Sequence, residues 1–155
     1  MTAYFFDSSA LVKRYLSEPG SSWISALADP AAGNTVVIVE ITRVEIAAAL
    51  ASRQRIQGGI TQAERDRLFR LLVRHNTIEY EVIPVSTSIV DRAMELTQKH
   101  RLRGYDAVQL AAALEVRATA RTAGLSEVAF VAADEDLLAS ALAEGLAVEN
   151  PNHHL

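Results

Sequence analysis

The sequence predicts an α/β fold, a three-layer α/β/α sandwich around a central, mainly parallel sheet, and three observations carry that expectation. Short aromatic or β-branched runs recur along the 155-residue chain. Longer segments with apolar residues at helical spacing separate them. One of these, DAVQLAAALEVRA from Asp106, is too apolar for a surface helix and belongs at the centre of the molecule. Strands joined by helices lie parallel, with helices on both faces of their sheet.

Taken in order, Ala3 to Phe6 is the first strand and stops at Asp7. Ser8-Ser9 then opens a helix with Leu11, Val12, Tyr15 and Leu16 on one side, and Pro19-Gly20 breaks it. Ser21 to Leu27 starts another helix before Asp29-Pro30 and a Gly33-Asn34 turn. Thr35 to Val39 is the second strand, followed by a helix from Thr42 to about Arg55 that Gly58-Gly59 ends. Thr61 to Asn76 sets Leu68, Leu71 and Leu72 against arginines, the pattern of an amphipathic surface helix. Tyr80 to Val85 is the third strand, and Ser86 to His100 a helix whose Ile89, Val90, Ala93, Met94 and Leu96 face inward. Gly104 interrupts the pattern before the buried helix from Asp106 to about Ala120. Val128 to Ala132 is the fourth strand, Asp134 to Glu144 a helix, and Leu146 to Val148 a short edge strand. Residues 1–150 read as one domain and 151–155 as a frayed tail, with no repeat, low-complexity stretch or linker.

Composition narrows the classes. A domain of this length buries roughly 70% of the surface its unfolded chain exposes. With no cysteine there is neither a disulfide framework nor a thiolate metal site, and a cytoplasmic location is expected. The start of the chain reaches Asp7 before Lys13-Arg14, which is not the basic-then-apolar order of a signal peptide, and no apolar run is long enough to span a bilayer. The net charge of -4 argues against a protein that coats nucleic acid by bulk positive charge. It is compatible with a carboxylate site that binds a cation. Of the basic residues only Lys13 and Lys99 are lysines. Arg14, Arg53, Arg55, Arg101 and Arg103 are candidates for RNA phosphates, although solvated surface charge explains them equally well.

The acids are the informative residues. Asp7 follows the first strand, Asp134 follows the fourth, Asp106 heads the alanine-rich helix, and Glu45 lies one turn into the helix after the second strand. Strand carboxyl ends and the adjoining helix starts line the crevice of a parallel sheet, so these acids can converge. Each alone is more simply a helix cap, and Thr42 with Glu45 fits a Thr-x-x-Glu capping box. Together they mean more, because caps chosen only for stability would as readily be Ser, Thr or Asn. Crowded carboxylates repel one another and call for a cation, and hard oxygen donors suit Mg²⁺ or Mn²⁺ rather than Zn²⁺.

Four motifs resemble those of PIN-domain ribonucleases of the VapC toxin type. They are DSSALVKRYLSEPGS at Asp7–Ser21, ITRVEIAAAL at Ile41–Leu50, LRGYDAVQLAAAL at Leu102–Leu114 and FVAADEDLLASA at Phe130–Ala141. The resemblance implies a PIN-like fold in which Asp7 and Asp106 are the main metal ligands, Asp134 and Glu45 complete the pocket directly or through water, and Ser9 helps orient it. It implies a Mg²⁺- or Mn²⁺-dependent endoribonuclease that leaves a 5′-phosphate and a 3′-hydroxyl. It also implies a homodimer, silenced by a cognate antitoxin whose C-terminal segment crosses the groove.

Neighbouring residues are weighed the same way. Asp136 points about 200° from Asp134 on a helix, so Asp134 is favoured as the ligand. Glu40 reads as a strand-end charge. His75, His100, His153 and His154 show no zinc-type spacing with a third ligand and read as solvated surface residues. The segments Ser21–Leu27 and Ile46–Leu50 are candidates for a partner surface or for core. A phosphatase with an aspartate nucleophile fits poorly, because Ser9 stands where its second acid belongs. A receiver domain lacks its strand-end lysine. A catalytically silent PIN-like module that binds RNA or protein is the remaining alternative.

Overall fold

In the computed structural model, which describes residues 2–125 and 127–155, the apolar runs form five strands: β1 (Ala3–Phe6), β2 (Thr35–Val39), β3 (Tyr80–Ile83), β4 (Val128–Val131) and β5 (Ala147–Glu149). All neighbouring strands are parallel, in the order β3-β2-β1-β4-β5, and Phe5 is paired with Val37 on one side and Phe130 on the other. The chain winds from β1 through β2 to β3, then returns across β1 to β4 and β5. The order therefore reverses between β1 and β4, and the crevice beyond their carboxyl ends is where such sheets take ligands.

The helices are α1 (Ser8–Leu11), α2 (Ser21–Ala28), α3 (Ile41–Arg55), α4 (Gln62–Ile78), α5 (Thr87–Lys99), α6 (Gly104–Thr122) and α7 (Glu135–Ala143). Successive strand residues point to opposite faces, which splits the core in two. Phe5, Val37, Val39 and Phe130 pack with buried residues of α5, α6 and α7. Phe6, Val36, Ile38 and Val131 pack with residues of α1 to α4. This is the expected three-layer sandwich. Alanines 111–113 are almost wholly buried on α6, where their small size lets the helix lie close to its neighbours. Within the two segments that are candidates for core or partner surface, Ile24, Ile46 and Leu50 are fully buried and belong to the core, while Ala26 and Ala48 are exposed.

Several local expectations need correction. The first helix lasts one turn and tightens into a 3₁₀ turn at Val12–Arg14. β3 ends at Ile83, because Pro84 has no N–H to continue a ladder. α3 starts at Ile41 after Glu40, so Thr42 already lies inside the helix and the Thr42–Glu45 capping box does not form. Glu40 instead accepts the Val85 N–H at 2.9 Å, as a strand-end charge would. α6 begins two residues before Asp106, which is therefore in the first turn rather than at the cap.

The tail is docked rather than frayed. Asn150 caps a 3₁₀ turn at Pro151–His153, and the His154 ring stacks on Trp23 with centroids 4.0 Å apart. Gly20, at φ +87°, makes room for this turn, since a Cβ there would sit 2.3 Å from the Pro151 carbonyl oxygen. His75 is buried, not solvated, in a cluster with Arg14, Tyr15, Glu79 and Tyr80. His100 is partly buried against Glu144, and His154 pairs with Glu149. Of the four, only His153 remains largely solvated, and it too faces an acid, Glu135 at 3.4 Å.

Candidate active site

Asp7 leaves the carboxyl end of β1 and caps α1. Its Oδ1 accepts the Ala10 N–H at 3.0 Å and the Ser9 hydroxyl at 2.7 Å. Ser9 Oγ in turn accepts the Ala133 N–H at 2.9 Å, which ties the end of β1 to the loop after β4. Asp7 is only 3% exposed. Burial raises its pKa from 3.8 to about 7, against the Ser9 and Ala10 hydrogen bonds, and the carboxylates of Asp106 and Glu45 add to the rise. Three of the nominated acids are therefore close enough to interact.

Asp134 caps α7, where Oδ1 accepts the N–H groups of Asp136 and Leu137 at 2.9 and 3.1 Å. The Arg103 guanidinium joins it to Asp106, with Nε donating to Asp106 Oδ2 at 3.3 Å and Nη2 lying 3.9 Å from Asp134 Oδ2. Glu45 comes from α3, and its Oε1 accepts the Ser8 hydroxyl at 2.7 Å and the Gln109 amide at 3.1 Å. That amide nitrogen also donates to Thr42 Oγ1 at 2.8 Å. The sequence marks Thr42 only as a helix cap, and it does not mark Ser8 or Gln109 as site residues. The available signal was Gln109, a lone polar residue in an apolar run, one turn after Asp106.

A groove runs past Arg103 and Asp106. On one side is a hollow of about 690 Å³ lined by Glu45, Val90, Met94 and Tyr105. On the other, a hollow of about 500 Å³ is lined by His100, Arg101, Asp134 and Asp136. Of the candidate arginines, Arg101 and Arg103 face this groove. Arg14 turns inward to Glu79 and Tyr80, and Arg53 is paired with Glu18. Arg55 is exposed at the end of α3. Among the described residues, no three His, Asp or Glu side chains form a closed cation-ligating cluster.

Acids at the switch point of a β3-β2-β1-β4-β5 parallel sheet, where such sheets take their ligands, define an α/β domain with a carboxylate-lined site. Comparison with known proteins narrows that class. Residues 4–144, a span that includes all four acids, match the PIN domain. Ribonuclease VapC45 of Mycobacterium tuberculosis is 34% identical over 120 residues, 75% of this chain and 78% of that protein. Two solved structures share the fold. VapC20 of Mycobacterium tuberculosis, a sarcin–ricin-loop-cleaving toxin, gives a TM-score of 0.61 at 17% identity, covering 93% of this chain and 96% of the other. A toxin–antitoxin complex from Klebsiella pneumoniae gives 0.57 at 20% identity, covering 96% and 97%. The chain belongs to the PIN-domain family and stands within it among the VapC ribonucleases.

Proposed function

We propose that this protein hydrolyses RNA phosphodiester bonds with Mg²⁺ or Mn²⁺ at the cluster of Asp7, Glu45, Asp106 and Asp134, as the toxin of a VapBC-type pair. The observation that carries the site is Asp7. A buried carboxyl whose pKa is lifted to about 7, pressed by two like charges, is the arrangement that a divalent cation relieves. The donor set fits such an ion, since it is all carboxylate. Asp7, Asp106 and Asp134 are the proposed ligands. Mg²⁺ would need only one or two of these carboxylates, with waters completing its shell.

An ion held by these carboxylates would supply charge stabilisation for the phosphate and lower the pKa of an attacking water. The chain's own groups prepare the site. Ser9 and the Ala10 N–H hold the Asp7 carboxylate in one orientation and favour its charged form. Asp134 keeps one oxygen on the α7 amides, which leaves the other facing the groove side where Arg103 lies. Arg101 and Arg103 offer guanidinium groups to the phosphates flanking the scissile bond.

The expected partners are RNA, a cognate antitoxin and a second copy of the chain. The Klebsiella pneumoniae relative in fold was solved as a toxin–antitoxin complex, which supports the second. Val90 and Met94, which helical spacing alone assigns to the inward face, are exposed beside the acids with Tyr105, and the three offer an apolar surface for a partner. We place the protein in the cytoplasm, with residues 1–150 as the nuclease domain. No helix among the described residues is long and apolar enough to cross a membrane.

The test is to incubate the purified protein, freed of any bound partner, with total cellular RNA and Mg²⁺ or Mn²⁺, and to sequence new 5′-phosphate ends. Discrete cuts that vanish in EDTA and with Asp106→Asn are expected. A folded, metal-loaded protein that makes no cuts would point to a silent binding module instead.

A further inference from the structure

We propose that Gln109 is a positioning residue of the catalytic centre, holding Glu45 in place through its side-chain amide; this rests on the reading that the acid cluster binds a divalent cation. Gln109 is 1% exposed on α6, among Ala107, Leu110 and Ala111, where a leucine or methionine would satisfy packing. Its nitrogen lies 2.8 Å from Thr42 Oγ1, 3.1 Å from Glu45 Oε1 and 3.2 Å from Ser8 Oγ. One amide thus joins α6 to α3 and to the start of α1. Its oxygen, by contrast, is buried with no hydrogen-bond partner among the described residues.

A buried acceptor left unpaired destabilises a fold, so stability alone does not explain an amide here. The donor half does. Ser8 and Gln109 both place their hydrogens on Glu45 Oε1, which fixes the carboxylate against α6 and leaves Oε2 outside that network. An amide also donates without adding charge. A lysine or arginine at this position would cancel the negative charge that draws a cation, whereas glutamine orients Glu45 and keeps it.

Gln109→Met removes the donor and the unpaired acceptor together at nearly constant volume. On the full chain, Mn²⁺ affinity would be measured calorimetrically, with kcat and KM on a cleaved RNA and the melting temperature alongside. The variant is expected to melt with the parent or above it, to bind Mn²⁺ about tenfold more weakly, and to lose kcat by a similar factor with KM for RNA unchanged. In a Glu45→Gln background the same change should have no further effect on Mn²⁺ affinity. The inference is overturned if Gln109→Met binds and cleaves like the parent. It is equally overturned if the loss persists in the Glu45→Gln background, or if the variant melts well below the parent, because the amide is then scaffold. A parent protein that binds no Mn²⁺ removes the proposed function and this inference with it.

Discussion

Among the described residues, a half-buried cluster at the strand ends and a largely buried one beside β3 are built on opposite rules. At the carboxyl ends of the strands, Asp7, Glu45 and Asp106 bring like charges together, and the main cation near them is Arg103, whose side chain is 84% exposed. Toward the amino end of β3, Tyr80 meets Tyr15, His75, Arg14 and Glu79. There the signs are complementary. Arg14 donates to Glu79 at 2.7 Å and to Tyr80 at 2.7 Å, while Tyr15 bridges to His75 Nδ1 at 2.9 Å. The titrations diverge accordingly. Burial and repulsion push Asp7 towards its neutral form, whereas Arg14 stays cationic because Tyr80 and Glu79 outweigh the burial that would lower its pKa. Burial, with help from Arg14, keeps His75 neutral. A cluster of complementary charges satisfies itself, whereas crowded like charges are the arrangement the proposed cation would relieve.

The contrast can be broken most forcefully at the acids. Asp106→Asn is expected to lower RNA cleavage about a thousandfold, the equivalent of several kcal/mol of lost charge stabilisation, while its melting temperature equals or exceeds the parent's. Initial rates and a thermal melt on the same sample check both halves. A variant that melted lower would mean that the acids serve the fold.

Asp7 gives the next largest effect, through pH. Its folded pKa, about 7, lies above the unfolded value of 3.8. A group shifted that way contributes stability below the unfolded pKa and loses it as pH rises through the folded pKa. The metal-free protein should therefore lose on the order of a few kcal/mol between pH 4 and pH 8, read by urea melts. Mn²⁺ should restore more stability at pH 7.5 than at pH 5.5. A flat profile would erase the distinction between the clusters.

Glu79→Leu addresses the self-satisfied cluster. It leaves the Arg14 guanidinium buried without its carboxylate, at a loss of roughly 2–3 kcal/mol in stability, with cleavage per folded molecule unchanged. Denaturant melts and active-site-normalised rates would show it. The smallest effect on the fold belongs to Arg103→Ala, because that side chain is so exposed. Its melting temperature should stay put while KM for RNA rises several-fold.

The sequence made some of this visible and hid the rest for identifiable reasons. β1 and β2 were legible to the residue, since each apolar or β-branched run stops at an acid, Asp7 or Glu40. The four acids were legible as candidates, but their convergence depends on the strand order, which no local pattern encodes. Glu45 was ambiguous because a capping box and a side-chain network use the same residue types at the same spacing. His75 was misjudged as surface, although it continues the buried stripe of Leu68 and Leu72 on α4. The docked tail rests on a contact between Trp23 and His154, which are far apart in the chain.

Ser9 carries a mechanical consequence. One hydroxyl grips Asp7 and is gripped by the Ala133 N–H, and the Asp7 N–H is itself bonded to the Val131 carbonyl at 3.0 Å. Asp7 and the loop leading to Asp134 are therefore tied to each other and to the sheet, like a fixed jaw. The more open groups come from the start of α6, where Asp106 meets the long, exposed Arg103 arm. A substrate of uneven shape would meet its rigid contact at Asp7 and its adaptable ones at the exposed Arg101 and Arg103.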